Sequence, residues 1–270
     1  MWGVPVSRGF APAYSVVDFF PIRLVAREMA APSVLHLRFV RDDGKALDYT
    51  PGQFIQIHFP LADGSTARRS YSCATRHDHV IACGEAVEFV ASCIPGGAAT
   101  ALFQGMAIGD TLNASGPLGL FSLKPGDANA RYLLIATGTG VASYRSMLPD
   151  LERLMRERKV KVVVVHGVRT PDDLLFADEF NDTARRFPEL FEYRIAFSRA
   201  SFEAGDSRAT PAIAQSGYVQ SVLPALKPVP GEDIAYICGN PVMVDAVVEL
   251  LKADALPMKD IRREKYISLK

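Results

Sequence analysis

At residues 124–127, Lys-Pro-Gly-Asp, the rhythm of the apolar residues changes, and that change limits what the chain can fold into. Before it, short stretches at 21–27, 34–41, 54–59, 69–73, 86–94 and 111–114 are bounded by Pro, Gly and other turn residues. Val34-Leu35-His36-Leu37-Arg38-Phe39 and Phe54-Ile55-Gln56-Ile57-His58-Phe59 are mixed or alternating, as half-buried antiparallel strands are. Strands at this spacing with little helical pattern between them predict a barrel or sandwich. After the break, a continuous apolar strand at 132–136 leads into a helix at 141–158. A strand at 160–165, a helix at 171–187, a strand at 191–197, a helix at 218–225, a strand at 234–238 and a helix at 241–253 follow. Buried strands alternating with helices predict a parallel sheet covered on both faces. Residues 200–216 form the most loop-like part of this half.

A chain of 270 residues suits one large or two medium domains, expected here at 1–127 and 128–270. Apolar residues make up 49% and charged residues 22%, which excludes a disordered or collagen-like chain. Thirty Lys and Arg balance 30 Asp and Glu, so the basic excess of a general nucleic-acid binder is missing. Cys73, Cys83, Cys93 and Cys238 form no CxxC or Cys/His pair, so neither a disulfide framework nor a bound metal is expected. Pro5, Arg8, Pro12 and Asp18 interrupt any signal-peptide core, and the apolar runs at 132–136 and 162–165 are too short to cross a bilayer. The expectation is a soluble cytoplasmic protein.

Four segments carry chemistry. Arg69-Ser70-Tyr71-Ser72 ends a barrel strand: the Arg fork suits a phosphate, the Tyr a planar ring, and the Ser72 hydroxyl the edge of that ring. The same four residues would also make an ordinary strand with a surface Arg. Pro95-Gly96-Gly97-Ala98-Ala99-Thr100 follows a strand and precedes a helical start, where close backbone N–H groups and a helix N-terminus favour an anion. A plain turn with Thr100 as cap is the alternative. Ala136-Thr137-Gly138-Thr139-Gly140-Val141 joins the first α/β strand to its helix, and Cys238-Gly239-Asn240-Pro241 makes a second small-residue turn on the same sheet edge. Two such turns at a carboxyl edge predict a nucleotide crevice. Ser198-Arg199 ends a third strand there, with Tyr218-Val219-Gln220 a loop later; hydroxyl and guanidinium suit a phosphate monoester, and Tyr218 suits an adenine. Taken alone, the segment equally reads as a strand-end cap at Ser198, a solvated Arg199 and a Tyr218 that packs a helix.

In this order the motifs resemble the ferredoxin–NADP(H) reductase superfamily. The resemblance runs from Pro51-Gly52-Gln53-Phe54 through Arg-x-Tyr-Ser at Arg69, Tyr71 and Ser72 and the phosphate turn at 96–100. It continues with Gly-Thr-Gly and Arg at Gly138, Thr139, Gly140 and Arg145, with Gly167-Val168-Arg169, Cys238-Gly239-x-Pro241 and a final Glu264-x-Tyr266. It implies an antiparallel FAD-binding barrel followed by a doubly wound NADP(H)-binding domain. It also implies that Arg69 and Ser70 to Ser72, with Gly96, Gly97, Ala98 and Thr100, hold FAD, Tyr71 stacking on the flavin. Gly138, Thr139, Gly140, Arg169, Gly239 and Gln220 would hold the nicotinamide nucleotide, Ser198 and Arg199 its 2′-phosphate, and Tyr218 its adenine. Ser72, Cys238 and Glu264 would be the catalytic positions, and Tyr266 the aromatic beside the flavin. The implied activity is hydride exchange between NADP(H) and FAD with single-electron transfer to a separate ferredoxin or flavodoxin. The alternatives are an NADH-dependent reductase component of an oxygenase and a non-catalytic flavin-binding subunit. Two departures from the family pattern stand out: Ser143 replaces a frequent Pro, and residues 267–270 extend past Tyr266.

Overall fold

The computed structural model describes residues 18–200 and 213–267. The expectation drawn from Pro5, Arg8 and Pro12, and most of the loop expected at 200–216, fall outside the described residues.

Strand β1 (Phe19–Ala31) pairs antiparallel on both sides, with β2 (Val34–Arg41) and with β6 (Thr111–Leu118). With β3 (Phe54–Pro60), β4 (Thr66–Ser72) and β5 (Ala86–Ser92) they form a six-stranded sheet ordered β4-β3-β6-β1-β2-β5. Its two ends come together: Ala74 N–H donates to the Glu88 carbonyl at 2.7 Å, and the Tyr71 ring stacks on Phe89 at 5.1 Å. The sheet therefore curls into a barrel. The alternation read in the sequence becomes its filling, because Ile55, Ile57 and Phe59 of β3 are buried while their neighbours are less so. Helix α1 (Ala98–Gly105) lies in the β5–β6 connection and buries Phe103. Arg27 Nη1 donates to the carbonyls of Phe103, Gln104 and Met106 at 2.6, 2.8 and 2.8 Å. It thus satisfies carbonyls that the end of a helix leaves unpaired.

The second sheet contains β7 (Arg131–Thr137), β8 (Lys161–Val168), β9 (Phe191–Phe197), β10 (Ile213–Ser216), β11 (Asp233–Gly239) and β12 (Ile261–Lys265). All neighbours are parallel, in the order β10-β9-β8-β7-β11-β12. The winding reverses between β7 and β11, so a crevice opens at their carboxyl ends. Helices α2 (Val141–Arg158) and α3 (Ala177–Arg186) cover one face, α4 (Leu223–Leu226) and α5 (Pro241–Ala253) the other. The apolar cluster under α2 and α3 also takes in Ala31, Val34, Ala74, Val90 and Phe121 from the barrel half, so the two halves share a core.

Polar contacts lock that seam. Arg145 of α2 donates to the Ala74 carbonyl at 2.8 Å, to Glu88 at 2.6 Å and to Glu179 of α3 at 2.8 Å. Its guanidinium also lies 4.5 Å over the Phe176 ring, a cation–π arrangement. Gly52 N–H donates to Ser146 Oγ at 3.1 Å across the same seam.

Several elements differ from the sequence expectation. The helix expected at 171–187 is a single turn at Pro171–Asp173, then α3, because Phe176 takes φ 57° and places its ring under Arg145. The helix expected at 218–225 is a turn at Val219–Ser221 followed by the short α4. β10 and β12 were not expected as strands. Each is an edge, and Ile261-Arg262-Arg263-Glu264-Lys265 has the charged character that edges carry. Among the described residues no helix is long and apolar enough to cross a membrane, and no cluster of three or more His, Cys, Asp or Glu is arranged to hold a metal.

Candidate functional site

Two clefts open along the seam. The first, about 430 Å³, runs over the end of β4, the turn after β5 and the start of α1. Arg69, Tyr71, Ser72, Gly97, Thr100 and Tyr266 line it. Register places Tyr71 opposite Ile55 and Arg69 opposite Ile57, so β3 anchors both. Tyr71 is half-buried, packed on Phe89 and edge-on to Phe103 at 5.4 Å. Arg69 bonds only its neighbour's carbonyl, Arg68 O, at 2.9 Å, and among the described residues it has no carboxylate partner. Thr100 Oγ1 accepts from Ile94 N–H at 2.8 Å and so ties the turn instead of capping α1. Among the described residues no side chain caps the first turn of α1. Gly97 fits because a Cβ there would stand 3.1 Å from the Ile94 carbonyl. Gly96 and Ser70 are exposed at the rim, and Ala98 packs toward the barrel core. An uncapped helix start, an unpaired guanidinium and a half-buried ring are what the phosphates and flavin of FAD require. The residues present fit that group.

The second cleft, about 780 Å³, lies over the carboxyl ends of β7, β8, β9 and β11. Gly138, Thr139, Gly239, Arg169, Ser198, Tyr218 and Gln220 are among its walls. The two glycine turns touch: a Cβ on Gly140 would come within 2.5 Å of the Cys238 carbonyl, and one on Gly239 within 2.5 Å of Thr137 Oγ1. Only glycine permits that approach, and the turns thereby share one floor. Arg199 N–H donates to the Arg169 carbonyl at 2.9 Å, which brings two exposed arginines to adjacent strand ends. Neither has a carboxylate partner among the described residues. Tyr218 is 70% exposed, a large ring left open at the cleft. These features fit a nicotinamide dinucleotide.

The clefts adjoin, because Ser92, Ile94, Thr139 and Tyr266 line both. At this junction the chain's end is held by hydrogen bonds. Tyr266 N–H donates to the Gly239 carbonyl at 2.8 Å, and its hydroxyl donates to Ser72 Oγ at 2.5 Å. Ser72 donates in turn to Glu264 Oε1 at 3.2 Å, and Ser143 Oγ stands 3.2 Å from the Tyr266 hydroxyl. Burial raises the Glu264 carboxyl above its ordinary range, with the Ser72 bond opposing. Burial likewise raises the Cys238 thiol. Register sets Cys238 beside Glu264 and Ala136. Cys238 is fully buried behind the junction and lines neither cleft, while Ser72 and Glu264 reach the first.

Of the residues read from sequence, the structure gathers Arg69, Tyr71, Ser72, Thr100, Glu264 and Tyr266 on one cleft and the turns at Gly138 and Gly239 on the other. Ser143 needed the fold to be understood: it is fully buried, and its hydroxyl contacts Tyr266. His166 was missed, since a lone His in an apolar strand carries no motif.

Comparison with known proteins follows the same division. An oxidoreductase FAD-binding domain matches residues 21–123 and an oxidoreductase NAD-binding domain matches residues 134–249. The chain is 32% identical to ferredoxin–NADP reductase B of Sorangium cellulosum, covering 92% of this chain and 97% of that one. It is 30% identical to the reductase component of propane 2-monooxygenase from Rhodococcus jostii over 91% of this chain, but spans only 63% of that protein's length. A ferredoxin NADP+ reductase from Neisseria gonorrhoeae, solved with bound FAD and NADP, shares the fold with a TM-score of 0.76 at 21% identity, covering 92% of this chain and 98% of that one.

Proposed function

The chain belongs to the ferredoxin–NADP(H) reductase family, and from that premise we propose that it exchanges a hydride between NADP(H) and FAD and passes single electrons to or from a protein carrier, ferredoxin or flavodoxin. The observation that supports this reading is that the two clefts adjoin, with Thr139 and Tyr266 in the walls of both. The chemistry supplied by bound FAD is hydride exchange on one side and one-electron exchange on the other. The protein's share is binding, orientation and proton handling.

We assign those tasks as follows. Arg69 and the uncapped start of α1, reached through Gly97 and Thr100, hold the pyrophosphate. Tyr71, backed by Phe89 and Phe103, presents its free face to the flavin ring. The turns at Gly138–Gly140 and Gly239 hold the nicotinamide nucleotide. Arg169, Ser198 and Arg199 supply the 2′-phosphate contact that favours NADP over NAD, and Tyr218 stacks on the adenine. Ser72 and Glu264 keep a proton at the junction: a carboxyl raised by burial retains it closer to neutral pH, and Ser72 Oγ relays it. Cys238 acts from behind, fixing the strand end on which Tyr266 rests. The domain boundary falls at 127/128, and a cytoplasmic location suits a reductase that draws on nicotinamide nucleotides.

A second reading, an NADH-dependent reductase component of an oxygenase, is favoured by the similarity to the propane monooxygenase component. Steady-state turnover with NADPH and NADH against ferredoxin, flavodoxin and an oxygenase hydroxylase separates the two. Preference for NADPH with ferredoxin or flavodoxin supports the first; preference for NADH with the hydroxylase alone replaces it with the second.

A further inference from the structure

His166 is fully buried on β8 and lines neither cleft, yet both of its ring nitrogens are engaged. Nε2 lies 3.1 Å from the Gly138 carbonyl and Nδ1 lies 3.1 Å from the Tyr193 hydroxyl. A carbonyl can only accept, so Nε2 carries the hydrogen; Nδ1 is then the acceptor and Tyr193 donates to it. One neutral tautomer satisfies the whole chain Tyr193–His166–Gly138. Tyr193 is itself buried and packs on Phe180 at 5.2 Å, so the outer end of this chain is fixed by the core.

The consequence falls on the glycine turn. Gly138 has φ 52°, in the left-handed region, and a Cβ there would meet nothing within 4 Å. Side-chain packing therefore does not hold this residue, and its hydrogen bonds orient it. Its carbonyl is drawn inward by His166, and it also accepts from Val141 N–H. In a trans peptide the carbonyl and the following N–H point in opposite directions. Holding the Gly138 carbonyl inward therefore turns Thr139 N–H outward, to the cleft that both residues line.

We propose that His166 is a positioning residue for the dinucleotide: through the Gly138 carbonyl it sets the peptide whose N–H receives the pyrophosphate. The assignment rests on the NADP(H) reading of that cleft. It differs from the roles proposed for Arg169, Ser198 and Arg199, which follow the ends of β8 and β9 and address the 2′-phosphate.

The test uses the FAD-loaded protein and equilibrium titration with NADP+, NAD+ and adenosine 2′-phosphate, which lacks the pyrophosphate. His166→Leu removes the side-chain donor and leaves the Gly138 carbonyl held by Val141 N–H alone, with an expected loss of roughly tenfold in affinity for the dinucleotide. FAD content and the affinity for adenosine 2′-phosphate should stay at wild-type values. In turnover the loss should appear in KM with kcat little changed, as for a contact made equally in the ground and transition states. His166→Gln, which keeps an amide donor, should recover most of the affinity. If His166→Leu does not fold, Tyr193→Phe carries the test, with an expected loss of about threefold for the dinucleotide alone. Wild-type dinucleotide affinity in the variant, or equal losses for the dinucleotide and adenosine 2′-phosphate, overturns the assignment. A wild-type protein that binds neither NADP+ nor NAD+ overturns the coenzyme reading itself, and this assignment with it.

Discussion

Replacing Arg145 by Met removes the charge that joins the two halves while keeping an apolar stem over Phe176. In the structure Arg145 is 12% exposed and Glu88 is 19% exposed, so their 2.6 Å pair is shielded from water. Burial alone would raise the Glu88 carboxyl, but the His36 bond and the Arg145 charge bring it down to about 2. Without Arg145, Glu88 keeps only its 2.9 Å contact to His36, and the Ala74 carbonyl loses its side-chain donor. Breaking one side of a buried pair costs about 3–5 kcal/mol. For a chain of this size each kcal/mol shifts Tm by about 2–4 °C, so the variant should melt roughly 6–20 °C below wild type. Adding Glu88→Gln removes the uncompensated charge and should recover a substantial part of the loss. The pH dependence has a definite sign. A carboxyl lowered from its ordinary 4.5 to about 2 gives stability that is present in full above 4.5 and lost as pH falls toward 2. In Arg145→Met that acid-side loss should shrink. Calorimetry at neutral pH and at pH near 3 measures both effects. A single variant melting with wild type, or a double variant no more stable than the single, refutes the reasoning.

Arg69→Ala should weaken FAD binding about tenfold to a hundredfold, the worth of roughly 1.5–3 kcal/mol for a charge-assisted phosphate contact; full FAD retention through gel filtration would remove Arg69 from that role. Arg199→Ala should narrow the preference for NADPH over NADH mainly through KM, measured as the ratio of kcat/KM for the two coenzymes. An unchanged ratio would place the 2′-phosphate elsewhere. Burial pushes the His166 ring from its ordinary 6.5 down to about 4, against the Gly138 bond. The unfolded ring therefore takes up a proton before the folded one does, and wild-type stability should fall by about 1.5 kcal/mol from pH 6.5 to 5. His166→Gln should lack this component in urea melts, and an identical slope would contradict a neutral buried ring.

How much could be read in the sequence depended on whether a residue's role was local. Strands β2 and β9 and helices α2 and α5 keep their expected bounds, because alternation or helical period with flanking turns defines them without help from distant residues. The turns at Gly96–Thr100 and Gly138–Gly140 were visible for the same reason: strand, small residues and helix follow one another directly. Edge strands β10 and β12 lack an apolar run, since among the described residues one side of each faces no neighbour. Phe176 looked helical, but its ring is claimed by Arg145 from another helix. Ser143 stood out only as a departure from a pattern. Its contact with Tyr266 joins residues 123 positions apart, a separation that no local period encodes. His166 and Arg145 belong to the same class, because their partners lie on other strands and across the domain seam.

If the flavin and nicotinamide sites adjoin at Thr139 and Tyr266 as proposed, hydride passes directly from one to the other. Anaerobic stopped-flow mixing of the FAD-loaded protein with NADPH, following flavin absorbance, tests it most directly. The flavin should bleach within the turnover time and regain its colour when a one-electron carrier is added. A yellow protein that neither NADPH nor NADH bleaches would contradict it and leave a flavin-binding protein without hydride transfer.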